Sequence, residues 1–238
     1  MTAMQFKNTL IALGAFVLLL SSCKKDPITS ANDEGAKYFP LEVGRYIIYN
    51  VDSIHFNDVT MLSDTTHFQI KEAVTSSFAD SAGGTTFIIT RTRRMNDTLN
   101  WFDDNIWSAT VTKSRAEKTE ENLRFVKMVF PITDGAKWSG NQYIDTSNGL
   151  DKYYGWEYKY SEVNKPFDLG IYIIDSTVTV TEQDNENLIE KDLEKEVYVK
   201  NSGMIYRIQE HVSKQNVSTP WTNPEKGTIV IMTAKEIH

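Results

Sequence analysis

Four aromatic residues recur at every second position of one segment, and this pattern could recognise a ligand. They are Tyr154, Trp156, Tyr158 and Tyr160. Side chains of a β-strand point alternately to the two faces of a sheet, so a strand here would place all four rings on one face. Two interpretations stay open. The rings either fill a hydrophobic core, or they form a surface on which a sugar stacks or a concavity that holds an apolar ligand.

Metal-binding chemistry has little support in the sequence. The histidines are His55, His67, His211 and His238. No pair of them has the short spacing of zinc ligands. The segment 184–187, Asp-Asn-Glu-Asn, offers oxygen ligands but lacks the twelve-residue spacing of a calcium-binding EF-hand loop. We therefore predict no metal site and no cofactor.

Catalytic motifs are also missing from the sequence. It contains no Gly-x-Ser-x-Gly nucleophile elbow and no glycine-rich phosphate loop. With 32 Asp and Glu residues in the chain, adjacent carboxylates are expected by composition alone. We interpret Asp103 and Asp104 as part of a turn, and Glu120 and Glu121 as part of a solvated surface. The sequence predicts a protein without enzymatic activity.

The first 22 residues have the features of an export signal. Lys7 supplies a positive charge, and an apolar run follows from Leu10 to Leu20. A helix needs about 20 apolar residues to cross the hydrocarbon core of a bilayer, and this run is about half that length. We predict a cleaved signal peptide over residues 1–22 and not a transmembrane anchor.

The predicted cleavage site, Leu20-Ser21-Ser22-Cys23, resembles the lipobox of bacterial lipoproteins. The resemblance implies that fatty acids such as palmitate are attached at Cys23, and that these acyl chains hold the protein on a membrane. Because Cys23 is the only cysteine, no disulfide can form within the chain. The polar segment 23–37 has no hydrophobic periodicity and is expected to be a flexible tether.

Length and charge limit the possible folds and partners. Cleavage before Cys23 leaves 238 − 22 = 216 residues, which is enough for one β domain over residues 38–238. The chain has 25 Lys and Arg residues against 32 Asp and Glu residues, and the basic residues are scattered. A nucleic-acid partner would require a basic stripe. We therefore exclude nucleic-acid binding.

From Tyr38 onward the sequence is typical of β-structure, with short runs of β-branched and aromatic residues between turn-forming residues. We predict strands near 45–52, 66–74, 85–94, 98–103, 106–113, 123–130, 152–162, 171–181, 195–200, 204–213 and 228–236. Only the charged segments 114–122 and 184–195 are candidates for helices. In the strand over 171–181, Val178 and Val180 should point inward and the threonines between and beside them outward.

Two turns and one internal similarity can also be recognised. Hairpins are expected at Asp103–Asn105 and at Asn201–Gly203. The segments Phe39–Gly44 and Phe130–Gly135 share the pattern Phe-Pro-aliphatic-x-x-Gly. Because proline fixes φ and glycine permits unusual backbone angles, the pattern fits a turn that leads into a strand. A true duplication remains the alternative.

Three segments resemble small β-rich lipoproteins of the Bacteroidota. They are Phe-Pro-Leu-x-x-Gly-x-Tyr at 39–46, Pro-x-x-x-Gly-x-x-Trp at 131–138 and Glu-Val-Tyr-Val-x-x-x-Gly-x-Ile-Tyr at 196–206. The resemblance implies a curved antiparallel sheet or open half-barrel with few or no helices, similar to periplasmic lipoprotein carriers. The charged residues Lys24, Lys25 and Asp26 directly after Cys23 resemble the leader of Bacteroidota lipoproteins. This second resemblance implies lipid anchoring at the outer membrane, on the periplasmic face or on the cell surface.

These observations lead to one expected function and two alternatives. We expect a non-enzymatic binding or envelope-structural module, for which an envelope protein is a possible partner class. The alternatives are a carrier of a hydrophobic ligand inside the concave sheet and an accessory glycan-binding lipoprotein. The face of residues 154–160 distinguishes them: a filled core favours the structural module, an open apolar cavity the carrier, and an exposed platform the glycan binder.

Overall fold

One antiparallel sheet of twelve strands makes up most of the chain that the structure describes. The structure is a computed structural model and describes residues 31–81, 83–147, 152–170 and 172–238. These residues form α1 (Ala31–Ala36), β1 (Tyr46–Asn57), β2 (Leu62–Ala79), β3 (Thr85–Arg94), β4 (Phe102–Val111), β5 (Arg115–Glu120), β6 (Leu123–Val129), β7 (Lys137–Trp138), β8 (Tyr158–Asp168), β9 (Ile173–Glu186), β10 (Glu190–Val199), β11 (Gly203–Ser213) and β12 (Lys226–Ile237). The predicted signal peptide and Cys23 lie outside the described residues.

The sheet curves until its two edges meet. Its strand order is β6-β5-β4-β3-β2-β1-β12-β11-β10-β9-β8-β7, so β6 and β7 are the edge strands. The backbone N–H of Val126 in β6 donates a hydrogen bond to the carbonyl of Gly140, just after β7, at 2.6 Å. The indole N–H of Trp138 donates to the carbonyl of Val126 at 2.7 Å. The prediction of a curved antiparallel sheet with few helices is confirmed.

The antiparallel strands give this sheet two distinct ends. The helix end carries α1 together with the turns at 112–114 and 200–202. There the N–H of Asn201 donates to the carbonyl of Lys37 at 2.8 Å, and Lys200 forms an ion pair with Glu34 at 3.3 Å. The far end carries the turns at 58–61, 121–122 and 187–189 and the loop at 214–225. Part of the segment predicted to be a flexible tether is therefore helical and packed against the sheet.

The structure confirms some predicted strands and turns and corrects others. The strand predicted at 85–94 has the bounds of β3, and the turn at Asn201–Gly203 joins β10 to β11. The hairpin predicted at Asp103–Asn105 is wrong, because these residues lie inside the unbroken strand β4. Asp104 lies 3.5 Å from Arg91 of β3, so an ion pair between neighbouring strands stabilises the extended conformation there.

Both charged segments that could have been helices are extended. Residues 115–120 form β5, and residues 184–195 form the end of β9, a turn and the start of β10. A further difference concerns β9, where Val178 and Val180 are buried as predicted but the threonines at 177, 179 and 181 are buried too. Both faces of β9 are therefore buried at these positions.

The repeated Phe-Pro pattern precedes a strand in both places. Gly44 comes two residues before β1 and has φ 101°, and Gly135 comes two residues before β7 and has φ 77°. Such positive φ angles are readily adopted only by glycine. The interpretation as a strand-entry turn therefore fits both copies.

Candidate functional site

Charged side chains lie on the interior face of the sheet, where the sequence analysis expected apolar ones. Glu196 pairs with Arg207 across β10 and β11, and Arg207 pairs with Met232 of β12. Directly opposed residues of neighbouring strands share a face of the sheet. Met232 and its partner Val51 belong to the hydrophobic core. Glu196 and Arg207 therefore point into the same interior.

Lys127 is the most deeply buried cation of this interior. Its ammonium group forms ion pairs with Glu182 and, at 2.7 Å, with Glu196, and its side chain is only 2 % exposed. The hydroxyl of Tyr198 donates to the second oxygen of Glu196 at 2.5 Å. A buried charge is tolerated only when it is paired and hydrogen-bonded. Here three strands, β6, β9 and β10, supply the groups that satisfy one another.

Further ion pairs extend this cluster toward both sides of Lys127. Arg207 lies 3.5 Å from Glu120 and 3.5 Å from Glu196. Lys118 bridges Glu72 at 3.1 Å and Glu120 at 3.3 Å. Together, the buried ionic cluster consists of the cations Arg91, Lys118, Lys127 and Arg207 and the carboxylates Glu72, Glu120, Glu182, Glu194 and Glu196.

The two carboxylates beside Lys127 differ in their tendency to ionise. Burial raises the pKa of Glu182 to about 7, and the neighbouring charge of Glu196 adds to the effect. Burial also disfavours ionisation of Glu196, but Lys127 and Arg207 outweigh it and lower the pKa of that carboxyl. Glu196 thus holds its charge, and Glu182 is the group that can take up a proton.

His211 ends the cluster on the far-end side. Its two ring nitrogens lie 2.8 Å from a carboxylate oxygen of Glu194 and 2.9 Å from one of Asp192. The hydrogen bond to Glu194 raises the pKa of His211, with burial acting against it. Gln209 donates to the other oxygen of Glu194 at 2.8 Å. Glu194 is therefore held in place from both sides.

A polar cavity of about 210 Å³ opens beside this cluster toward the far end. Its lining residues are Arg91, Trp107, Glu120, Glu121, Phe125, Lys127, Lys152, Tyr153, Trp156, Glu182, Glu194, Arg207 and Gln209. Glu121 and Lys152 are exposed, so the cavity reaches the protein surface. We refer to it as the far-end cavity.

Several buried donors around the far-end cavity lack hydrogen-bond partners. The indole N–H groups of Trp107 and Trp156 have none, although the two residues are only 4 % and 8 % exposed. The Nε–H groups of Arg91 and Arg207 also lack one, although both guanidinium groups lie near carboxylates. Buried donors are normally satisfied, and an unsatisfied one costs about 1–3 kcal/mol. The far-end cavity is therefore lined by groups that a hydrogen-bond acceptor could satisfy.

The four aromatic residues singled out by the sequence do not share one strand. Strand β8 begins at Tyr158, so Tyr154 and Trp156 lie in the loop before it. Tyr158, Tyr160 and Trp156 are buried, whereas Tyr154 is 60 % exposed. Trp156 alone of the four lines the far-end cavity. Trp156, Tyr158 and Tyr160 all belong to the hydrophobic core, which fits the core interpretation for these three rings. A ligand role for Trp156 stays a prediction.

A second, apolar cavity lies at the helix end. It measures about 80 Å³, and its lining includes Phe39, Leu41, Ile47, Tyr198 and Met204. An apolar cavity of about 150 Å³ binds a molecule of the size of benzene. This cavity is too small for an acyl chain.

The described residues contain neither a metal-binding cluster nor a membrane-spanning helix. Within residues 31–81, 83–147, 152–170 and 172–238, no group of three or more His, Cys, Asp or Glu side chains is arranged to hold a metal ion. In the same ranges, no helix has the length and apolar character needed to cross a membrane.

Comparisons with known proteins identify one structural neighbour. No family model matches the chain, and no curated protein matches it. A Bacteroides fragilis protein proposed to be exported, with a YmcC-like fold, is similar at 12 % sequence identity and a TM-score of 0.39. The similarity covers 84 % of this chain and 97 % of that one. So remote a likeness carries no functional argument, and the function has to be inferred from the side chains of the site.

Proposed function

We propose that this protein is a lipid-anchored lipoprotein of the bacterial outer membrane and that its β domain is a non-enzymatic binding module. The far-end cavity is the binding site. The observation that carries the proposal is the combination of about 210 Å³ of space with buried indole and guanidinium donors that lack partners. A purely structural module would gain stability by filling this space and satisfying these groups.

The position of α1 supports a defined orientation on the membrane. Cys23 precedes α1 by 31 − 23 = 8 residues. An extended chain spans at most about 3.6 Å per residue, so the helix end lies within about 30 Å of the lipid anchor. The far-end cavity would then open away from the anchoring membrane, where it can meet a soluble ligand or a ligand on another envelope component.

The apolar cavity gives less support to a carrier of hydrophobic ligands. A carrier would need a cavity that encloses an acyl chain, and a cavity of about 150 Å³ binds benzene, a far smaller molecule. The helix-end cavity holds about 80 Å³. The interior beside the far-end cavity is charged. An apolar ligand placed there would remove water from ionic groups without replacing its hydrogen bonds, at a high cost in free energy. A hydrophobic ligand therefore fits the two cavities less well than a polar one.

Native mass spectrometry of the full-length protein, purified from membranes in detergent, tests the proposal. We expect the mass of the chain from Cys23 onward with added acyl groups, and a retained small molecule that is not a lipid. The Cys23→Ser variant is the matched control, because it should lose the acyl mass and leave the membrane fraction. A retained fatty acid would favour the carrier. The absence of any retained or added ligand would leave a structural module.

A further inference from the structure

We infer that the far-end cavity binds a neutral, polyhydroxylated ligand, namely a single sugar unit or the end of a glycan chain. This inference rests on the proposed function of the cavity as a binding site and adds the chemical class of the ligand. Three features of the lining carry it: balanced charge, unsatisfied donors next to fixed acceptors, and a size suited to one ring.

The far-end cavity is lined by equal numbers of cationic and acidic residues, so their formal charges balance when Glu182 is ionised. Its cations are Arg91, Lys127, Lys152 and Arg207, and its carboxylates are Glu120, Glu121, Glu182 and Glu194. Each buried cation is already paired with a carboxylate, as for Lys127 with Glu182. An anionic ligand would meet these carboxylates at close range, and a cationic ligand would meet the paired cations. A neutral ligand avoids both repulsions.

The hydrogen-bonding groups of the lining suit hydroxyl groups. The free donors are the indole N–H groups of Trp107 and Trp156, and the Nε–H of Arg207 has no hydrogen bond either. In the same lining, Oε1 of Glu120 is in ionic contact with Lys118 at 3.3 Å and accepts no hydrogen bond of good geometry. A hydroxyl donates one hydrogen bond and accepts others. A polyol can therefore satisfy indole donors and a carboxylate acceptor at the same time.

The size and the aromatic walls fit one pyranose ring. The far-end cavity, at about 210 Å³, is larger than the cavity of about 150 Å³ that holds benzene. Trp156 packs edge-on against Tyr153 with ring centroids 5.0 Å apart, and Tyr153 packs edge-on against Phe125 at 5.4 Å. The faces of aromatic rings carry negative potential and attract the weakly positive C–H groups of a sugar.

A binding panel on the full-length lipoprotein tests this inference. The protein is kept in an amine-oxide detergent, because detergents with sugar headgroups would compete. Saturation-transfer NMR and calorimetry then compare glucose, galactose, mannose and N-acetylglucosamine with glycine and inorganic phosphate at equal concentration. We expect at least one of the sugars to bind with a dissociation constant of about 1 mM or below, and glycine and phosphate to bind at least tenfold more weakly.

Two conservative variants locate the binding. Trp156→Phe and Trp107→Phe each remove an indole N–H and retain an aromatic ring, so each should weaken sugar binding about five- to tenfold, the value of one hydrogen bond. Trp101→Phe is the matched control, since Trp101 does not line the far-end cavity and contacts Arg94 instead. Unchanged melting temperatures show that a loss of binding does not reflect unfolding.

The possible outcomes separate this inference from the proposed function. Sugar binding that both cavity variants weaken and the control retains supports both. Binding of phosphate or glycine in place of sugars overturns the inference and leaves the cavity as a binding site for a charged ligand. Sugar binding that neither cavity variant changes also overturns it. If no probe binds and native mass spectrometry finds no retained ligand, both are overturned.

Discussion

At Lys127, one ammonium group faces the carboxylates of Glu182 and Glu196, and the two carboxylates are not equivalent. Glu196 also contacts Arg207 at 3.5 Å and accepts the hydrogen bond of Tyr198 at 2.5 Å. Glu182 has the higher pKa because burial and the charge of Glu196 both oppose its ionisation. The cluster therefore contains one carboxylate that the fold needs charged and one whose charge is costly.

Matched substitutions should separate these two carboxylates. Glu182→Gln keeps an oxygen acceptor for Lys127 and removes the costly charge, so we expect an unchanged or higher free energy of unfolding at pH 8. Glu196→Gln weakens the contacts with Lys127 and Arg207, and we expect a loss of about 2 kcal/mol. Chemical denaturation at pH 8 measures both values. Equal losses for the two variants would contradict this asymmetry.

His211 should make the stability depend on pH. Its pKa is raised by Glu194 above the usual 6.5. A raised pKa means that protonation stabilises the folded state, fully below pH 6.5 and progressively less as the pH rises through the folded pKa. The melting temperature of the wild type relative to His211→Gln should therefore fall as the pH is raised from 6 through this range. A difference independent of pH would show that the histidine contributes only by packing.

At the level of elements, Tyr160 of β8 bonds to the edge strand β6 across the seam where the two edges of the sheet meet. Its hydroxyl donates to the carbonyl of Val129 in β6 and accepts from the N–H of the same residue, both at 2.9 Å. Backbone pairing between β6 and its neighbours across the seam is sparse, so a side chain supplies bonds that a paired strand would otherwise make. Gly140 contributes to the same seam because a Cβ there would overlap the ring of Tyr158.

Removing the hydroxyl of Tyr160 should therefore weaken the contact between β8 and β6. We expect Tyr160→Phe to lower the free energy of unfolding by about 1–3 kcal/mol, because it leaves both backbone groups of Val129 without that partner. Amide exchange at Val129 should accelerate, whereas amides of β1 and β12 in the middle of the sheet should not change. Tyr154→Phe serves as the control, since Tyr154 is exposed. If both variants unfold alike, the hydroxyl of Tyr160 does not hold the seam.

The sequence was informative about elements wherever local preference and sheet pairing agree. The bounds of β3 and the turn before Gly203 are examples, because β-branched residues and a positive φ angle act within the segment itself. Asp103–Asn105 has strong turn preferences, yet it lies in β4 between two neighbouring strands. Asp103 and Asn105 pair with Thr92 and Arg91 of β3, and this pairing outweighs the local turn preference. The sequence alone does not contain that information.

The candidate site was harder to predict than the fold. Glu194, Glu196 and Tyr198 alternate along β10, and Arg207 and His211 lie on alternate positions of β11. This periodicity was a usable signal that one face of each strand is charged. Charged residues are rarely buried unless they are paired, so the periodicity by itself is equally typical of a solvated face. Only the register of β10 and β11 shows that the charged residues of the two strands lie beside one another on the interior face of the sheet.

At the level of the whole molecule, the proposed lipid anchor at Cys23 predicts which end faces the membrane. Because the proposed acylation would block that thiol, a cysteine introduced elsewhere could be labelled selectively. Two exposed residues are suitable positions: Lys113 lies in a turn of the helix end, and Val59 lies in a turn of the far end. The variants are Lys113→Cys and Val59→Cys. The two ends of the sheet are well separated, because a strand of the length of β1 spans about 40 Å at about 3.3 Å per residue. In proteoliposomes, energy transfer from a donor at 113 to an acceptor in the lipid headgroups should exceed that from a donor at 59. Equal or reversed transfer would mean that the domain lies sideways or inverted, and the far-end cavity would then face the bilayer instead of the space where a soluble ligand is found.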